Sequence, residues 1–224
     1  MKIYSLTFLI FGFATSLLSA QNLVLIDDFT DVIVPLTQVG VGTETQTTLN
    51  LGTLGGERVD SVTVTNVPSP FVGTIANNSG ELVISQGADD QILGSVVYSG
   101  FSDLDLTAGG RDSFFLDFVS TDAIPLNNVL SISVTSGGNS AESFVAVPTS
   151  SNLGLLPVVS FADFSGVDLT SVDAISLIFD FESAQGADFS LGSFAAGTAV
   201  PEPSSSGLCF LLVGGMFLRR RRNG

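Results

Sequence analysis

Carboxylates are the only side chains here numerous enough to suggest acid–base or metal chemistry: 22 of 224 residues are Asp or Glu, against seven Lys or Arg and no His. Between Gln21 and Val200 there is also no Lys, Cys or Trp. Histidine-dependent triads, thiol nucleophiles, Schiff-base lysines and imidazole-rich zinc centres are therefore excluded within one chain. Two-carboxylate glycoside hydrolysis survives, because it needs only Asp or Glu. Among so many acids a pair by itself carries no weight, so no catalytic residue is assigned and a non-enzymatic protein is expected.

The shortage of Trp and Tyr, the usual platforms for sugar stacking, also counts against a strong sugar-binding surface. Tyr98 is the only tyrosine between Gln21 and Val200. Phe71, Phe101 and Tyr98 stand beside turn residues and are the candidates for exposure, with core packing the expected role of each. The nearest approach to a calcium loop, Asp103-Leu104-Asp105-Leu106-Thr107, fails as an EF-hand. It lacks the sixth-place glycine and has Phe114 where a glutamate should stand.

Charge narrows the partners. The formal net charge is -15, and five of the seven cations (Lys2 and Arg219 to Arg222) lie near the two ends, leaving Arg58 and Arg111 against 21 acids between Gln21 and Val200. Such a surface repels phosphate backbones and anionic lipid, so nucleic acid is excluded as a partner. Cations are the natural counter-charge, Ca2+ among them, although acidic residues also serve solubility. The single cysteine, Cys209, lies outside this central region, whose stability must come from its core without a disulfide.

The ends read as targeting segments. Residues 1–20 carry one Lys, an apolar run over residues 3–18, then Ser19 and Ala20, the layout of a secretory signal peptide. Residues 200–224 begin with Pro201-Glu202-Pro203, whose prolines keep the backbone extended. A serine run and an apolar stretch to Leu218 follow, and then Arg219, Arg220, Arg221 and Arg222. Residues 204–218 would span about 22 Å as a helix, short of a roughly 30 Å hydrocarbon core. The arginines would lengthen its reach by snorkelling and would face the cytoplasm.

This order resembles the PEP-CTERM sorting signal of exported Gram-negative proteins. The resemblance implies processing by an exosortase at Pro201, Glu202 and Pro203, transient anchoring through a C-terminal transmembrane helix, and delivery to the cell envelope or extracellular matrix. Association with extracellular polysaccharide is a further implication. The expected organisation is a signal peptide over 1–20, an acidic domain over 21–199 and the sorting signal over 200–224.

The elements between the ends follow a period of two. Val62 and Val64, Phe114, Leu116 and Phe118, then Leu130, Ile132 and Val134, and finally Ile175, Leu177, Phe179 and Phe181 alternate with polar or small neighbours. Turn clusters such as Gly55-Gly56, Gly109-Gly110 and Gly137-Gly138-Asn139 separate these runs. About ten short strands so spaced predict an all-β fold with one β-sandwich. A local echo, Asp105-Leu106-Thr107 and Asp168-Leu169-Thr170, precedes two of the Phe-rich strands and reads as similar strand-entry geometry, not a repeat array.

The arrangement resembles the jelly-roll sandwiches of bacterial surface and carbohydrate-binding modules. Such modules often hold a structural calcium where first and last strands meet, and the resemblance places Asp27, Asp28 and Asp188 there. Two readings follow the envelope-protein one: a calcium-stabilised carbohydrate-binding module and a carboxylate-only glycoside hydrolase.

Overall fold

Alternation of buried and exposed side chains builds thirteen strands among the described residues. In this computed structural model the described residues are 21–199, excepting 32–34, 50–53, 67–71, 78–79, 88–90, 122–128, 149–152 and 182–187. They belong to one compact unit, Gln21–Ala199.

The strands are β1 (Gln21–Asp27), β2 (Leu36–Val39), β3 (Gly42–Leu49), β4 (Glu57–Asn66), β5 (Val72–Asn77), β6 (Leu82–Ser85) and β7 (Gln91–Leu104). They continue with β8 (Ser113–Thr121), β9 (Leu130–Ser136), β10 (Asn139–Phe144), β11 (Gly154–Ser160), β12 (Val172–Asp180) and β13 (Asp188–Thr198). A seven-stranded sheet has the order β11-β8-β13-β6-β5-β2, with β1 also paired to β13. The other, six-stranded, runs β10-β9-β12-β7-β4-β3.

All pairings are antiparallel. The all-β sandwich read from the period of two is the observed architecture. Its inward residues are those the alternation picked out: Val62, Phe114, Leu116, Leu130, Ile132, Val134, Ile175, Leu177, Phe179 and Phe181 are fully buried. Phe114 sits at the hub, with ring centroids 5.0 Å from Phe161, 5.6 Å from Phe164 and 5.4 Å from Phe194, separations at which aromatic pairs attract beyond their buried area.

The Asp-Leu-Thr echo has a structural meaning. Asp105 Oδ1 accepts from the Thr107 amide and hydroxyl, and Asp168 Oδ1 does the same with Thr170. The Leu106 amide then donates to the Leu169 carbonyl at 2.9 Å, so the two turns lie side by side. Leu106 is buried beneath them.

The helical part of the expected architecture is corrected. Among the described residues the helical segments are the 3-10 turns Ala108–Gly110 and Phe161–Asp163. No described helix is long and apolar enough to cross a membrane. The expected signal peptide over 1–20 and the transmembrane sorting helix within 200–224 fall outside the described residues.

Candidate functional site

Two features stand out from the sandwich: a buried ionic cluster between the sheets and a hydroxyl-lined groove on the outside of the six-stranded sheet. The cluster arises from residues in the apolar phase of β4. Arg58 and Asp60 share that phase with Val62 and Val64, so the strand carries them inward, and all four are buried. Tyr98 on β7 lies directly opposite Arg58. Arg58 Nη1 donates to Asp27 Oδ2 at 2.9 Å, while Nε and Nη2 donate to Asp60 Oδ1 at 2.9 and 2.7 Å.

Tyr98 Oη donates to the same Asp27 oxygen at 2.9 Å. Asn77 Oδ1 accepts from Arg58 Nη2, and Asn77 Nδ2 reaches the Asp31 carbonyl. Phe29 caps the guanidinium, its ring centroid 5.4 Å from Arg58 Cζ, and holds a left-handed φ of 51° while its amide donates to Asp27 Oδ1. Asp27 and Asn77 belong to strands of one sheet, Arg58, Asp60 and Tyr98 to the other. The network therefore staples the sandwich at its first strand.

Two carboxylates face one guanidinium, and Asp60 Oδ2 is buried without a hydrogen-bond partner. Burial pushes the Asp27 and Asp60 carboxyls above their ordinary range, Arg58 notwithstanding. Burial also works against the Arg58 charge, but its surroundings of Tyr98, Asp60 and Asp27 outweigh it and raise its pKa. Tyr98 is raised well above its ordinary value, chiefly by burial, and stays neutral. The arrangement is closed to a substrate and holds structure together.

The three residues placed at a calcium site do not converge. Asp27 is bound to Arg58 and Tyr98. Asp28 forms an exposed turn with Thr30, and its carboxyl lies below the ordinary range chiefly through the Thr30 hydroxyl. Asp188 opens β13 and accepts from the Gln86 amide at 3.2 Å. Asp27 is in register with Phe194, six residues from Asp188, or roughly 20 Å along an extended strand. Among the described residues no group of three or more His, Cys, Asp or Glu is placed to hold a metal ion.

The groove is built from the opposite phase. Continuous register across the six-stranded sheet aligns Thr45, Ser61, Ser95, Ile178, Ser131 and Phe144 in one outward row. Thr47, Val59, Val97, Ser176, Ser133 and Glu142 form the next, and Thr43, Thr63, Leu93 and Asp180 a third. At the centre lies a groove of about 320 Å³ lined by Ser61, Thr63, Leu93, Gly94, Ser95, Val97, Ser176 and Ile178.

Its hydroxyls differ in how they are used. Toward β10, Ser131 donates to Glu142, and Ser133 and Thr135 each share a hydrogen bond with Ser140. Toward β3, Thr43 bonds Thr63. Within the groove, Ser61, Ser95 and Ser176 make no side-chain hydrogen bond to protein among the described residues. Each is free to donate once and accept twice. Beside them Leu93, Val97 and Ile178 present an apolar floor, and none of the lining residues is charged.

Sequence reasoning passed over this groove because the period of two picked out the apolar phase of each strand and left the opposite phase unread. The available signal was that the polar phases of 61–65 and 131–135 are entirely hydroxyl-bearing and uncharged. Of the aromatic candidates, Tyr98 is fully buried and Phe101 packs against the core. Phe71 lies outside the described residues. Among the described residues the exposed aromatic is Phe144, 59% accessible on β10 in the row that crosses the groove.

No protein-family model and no curated protein matches the chain. The resemblance of Pro201, Glu202, Pro203 and Arg219 to Arg222 to a PEP-CTERM signal is thereby withdrawn, those residues lying outside the described ones. The exosortase partner, membrane anchoring and envelope sorting inferred from it are withdrawn with it.

Solved structures do match. CtCBM11, known from a solution structure with dynamics and binding studies, is 18% identical over 82% of this chain and 99% of that one, at a TM-score of 0.44. The family 11 carbohydrate-binding module of the cellulosomal cellulase Lic26A-Cel5E of Clostridium thermocellum is 15% identical over 80% and 96%, at 0.39. The agarase AgWH50C is 12% identical over 80% of this chain and 25% of that chain, at 0.38. With identities of 18% and below and scores under 0.5, any functional reading must be carried by the groove's own geometry.

Proposed function

We propose that the Gln21–Ala199 unit is a non-catalytic carbohydrate-binding module that takes a neutral polysaccharide in the groove on the six-stranded sheet. The observation that carries this reading is the set of unengaged hydroxyls, Ser61, Ser95 and Ser176, around the apolar floor of Leu93, Val97 and Ile178. A sugar ring is amphipathic in the same way, with C–H faces that prefer apolar contact and hydroxyl edges that both donate and accept. The volume of about 320 Å³ lies at the lower end of the range for small-molecule sites, enough for one sugar residue of a chain that continues beyond the groove. Phe144 offers the ring on which a neighbouring sugar can stack.

The absence of charge from the lining supports binding without turnover, since glycoside hydrolysis needs two carboxyl groups flanking the bond. The buried pair Asp27 and Asp60 is committed to Arg58 and closed to a sugar. The formal charge of -15 disfavours uronate or sulfate polymers and favours uncharged ones.

Affinity electrophoresis tests this. The chain is run through gels containing a neutral polysaccharide, β-1,3-1,4-mixed-linked glucan or agarose among them, and in parallel through gels containing an anionic one. Retardation by at least one neutral polymer, with no sugar released, is the expected result. Free migration through all of them, or release of reducing ends, would overturn the reading.

A further inference from the structure

We infer that a second copy of this chain docks edge to edge along β3, in an antiparallel register centred on Thr45. β3 ends the six-stranded sheet and, among the described residues, pairs with β4 alone. Exposed strand edges present unpaired backbone donors and acceptors, and proteins blunt them with Pro, Lys, bulges or short length. The other edges among the described residues show such devices or lesser length: β1, paired with β13 alone, has seven residues and two breaks in register. β11 carries Pro157 and a break in register, β2 has four residues and β10 has six. β3 has eight, holds no Pro, Lys or Arg, and pairs with β4 without a register shift.

The residues of this edge complement themselves. With Thr45 opposite its own symmetry mate, Thr43 meets Thr47, and Glu44 meets Gln46, an acceptor facing an amide donor. Val41, 69% exposed just before the strand, comes to Leu49, 67% exposed at its end. Two of the seven large exposed hydrophobic side chains of the described residues are covered by that one register. Centring on Glu44 instead would set two carboxylates face to face, which is unfavourable. Centring on Gln46 would leave Val41 without Leu49. The two-fold axis stands normal to the sheet, so both hydroxyl-lined faces end on the same side of a twelve-stranded sheet.

The contact is narrow, and each copy brings a formal charge of -15, so the dimer should be weak and strengthened by salt. It does not depend on what the groove binds. If both readings hold, a polymer can engage two grooves at once and gain avidity.

Sedimentation of the full chain over a concentration series, at about 50 and about 500 mM NaCl, tests the association. A monomer–dimer equilibrium that tightens several-fold with salt is expected. Thr45→Lys sets two like-charged side chains directly opposite each other, their Cβ atoms roughly 5 Å apart, and should weaken it about fivefold or more, with an unchanged circular dichroism spectrum. In a Cys209→Ser background, Thr45→Cys should cross-link to its symmetry mate under mild oxidation about tenfold faster than Thr43→Cys or Thr47→Cys, whose mates lie four residues along the facing strand, roughly 13 Å away. A chain that stays monomeric throughout, or equal cross-linking of all three cysteine variants, overturns the inference.

Discussion

Replacing Arg58 with Met isolates the buried cluster, because methionine fills much of the same volume while removing the charge. Arg58 is fully buried and donates four hydrogen bonds: two to Asp60, one to Asp27 and one to Asn77. The substitution leaves two buried carboxylates with no cation, and breaking a buried pair by removing one partner costs about 3 to 5 kcal/mol. For a domain of this size each kcal/mol moves the melting temperature by about 2 to 4 °C, so the variant should melt about 6 to 20 °C lower at pH 7. The measurement is thermal unfolding followed by circular dichroism, with urea unfolding as an isothermal check.

Two internal controls belong with it. The triple variant D27N/R58M/D60N removes the stranded charges and should recover more than half of the loss, since the penalty comes from uncompensated carboxylates and not from the missing arginine itself. The deficit of R58M alone should also shrink toward pH 4, where those carboxyls take up protons. A loss below about 1 kcal/mol at pH 7, or a triple variant no better than the single, would refute the description of this network as a staple between the sheets.

Three further outcomes follow from named residues. Because burial raises the Asp27 and Asp60 carboxyls above the ordinary aspartate value of 3.8, the folded state holds protons that the unfolded chain releases. Their contribution is full below pH 3.8 and is lost as pH rises through the folded values. Asp60→Asn should therefore flatten the gain in melting temperature on going from pH 7 toward pH 4, and an unchanged slope would count against it. Asp105 and Asp168, both lowered chiefly by their threonine hydroxyls, oppose this trend, their contributions fading as pH falls below 3.8.

Gly56→Ala should cost at least about 2 kcal/mol in urea unfolding. Gly56 has a φ of +86°, and a Cβ there would stand 2.2 Å from the Ser99 carbonyl oxygen on the neighbouring strand. A near-neutral effect would show that this start of the β4 and β7 pairing yields easily. Phe114→Ala removes the ring touching Phe161, Phe164 and Phe194 and should cost about 3 to 5 kcal/mol, with a loss under about 1 kcal/mol the contrary result.

What was legible in the sequence was whatever period two could carry. The Phe114, Leu130 and Ile175 runs alternate strongly and became central, buried strands. β3 had no such signal, because an edge strand of Thr, Glu and Gln has no apolar phase to bury. Arg58 and Asp60 sat in the apolar phase of β4, which marks them as buried, yet their partner Asp27 lies 31 positions away and only the fold brings it near.

The calcium expectation took Asp27, Asp28 and Asp188 together from the closeness of first and last strands. β1 and β13 do pair, but in a register that sets Asp188 six residues beyond the position facing Asp27. The groove needs three strands, β4, β7 and β12, in register to exist, and no local window of sequence contains it. The readings at the two ends rested on short motifs alone, and no family model supports them.

The groove is tested most directly by isothermal titration of the retarding neutral polysaccharide against wild type and the variant S61V/S95V/S176V. Valine keeps the strand propensity and approximate shape while removing three hydroxyls. Each lost hydrogen bond is worth about 0.5 to 1.5 kcal/mol, so affinity should fall by about tenfold to a thousandfold with the melting temperature held or raised. Affinity within about twofold of wild type in a folded variant, against that same scale, would contradict the placement of the sugar on this face.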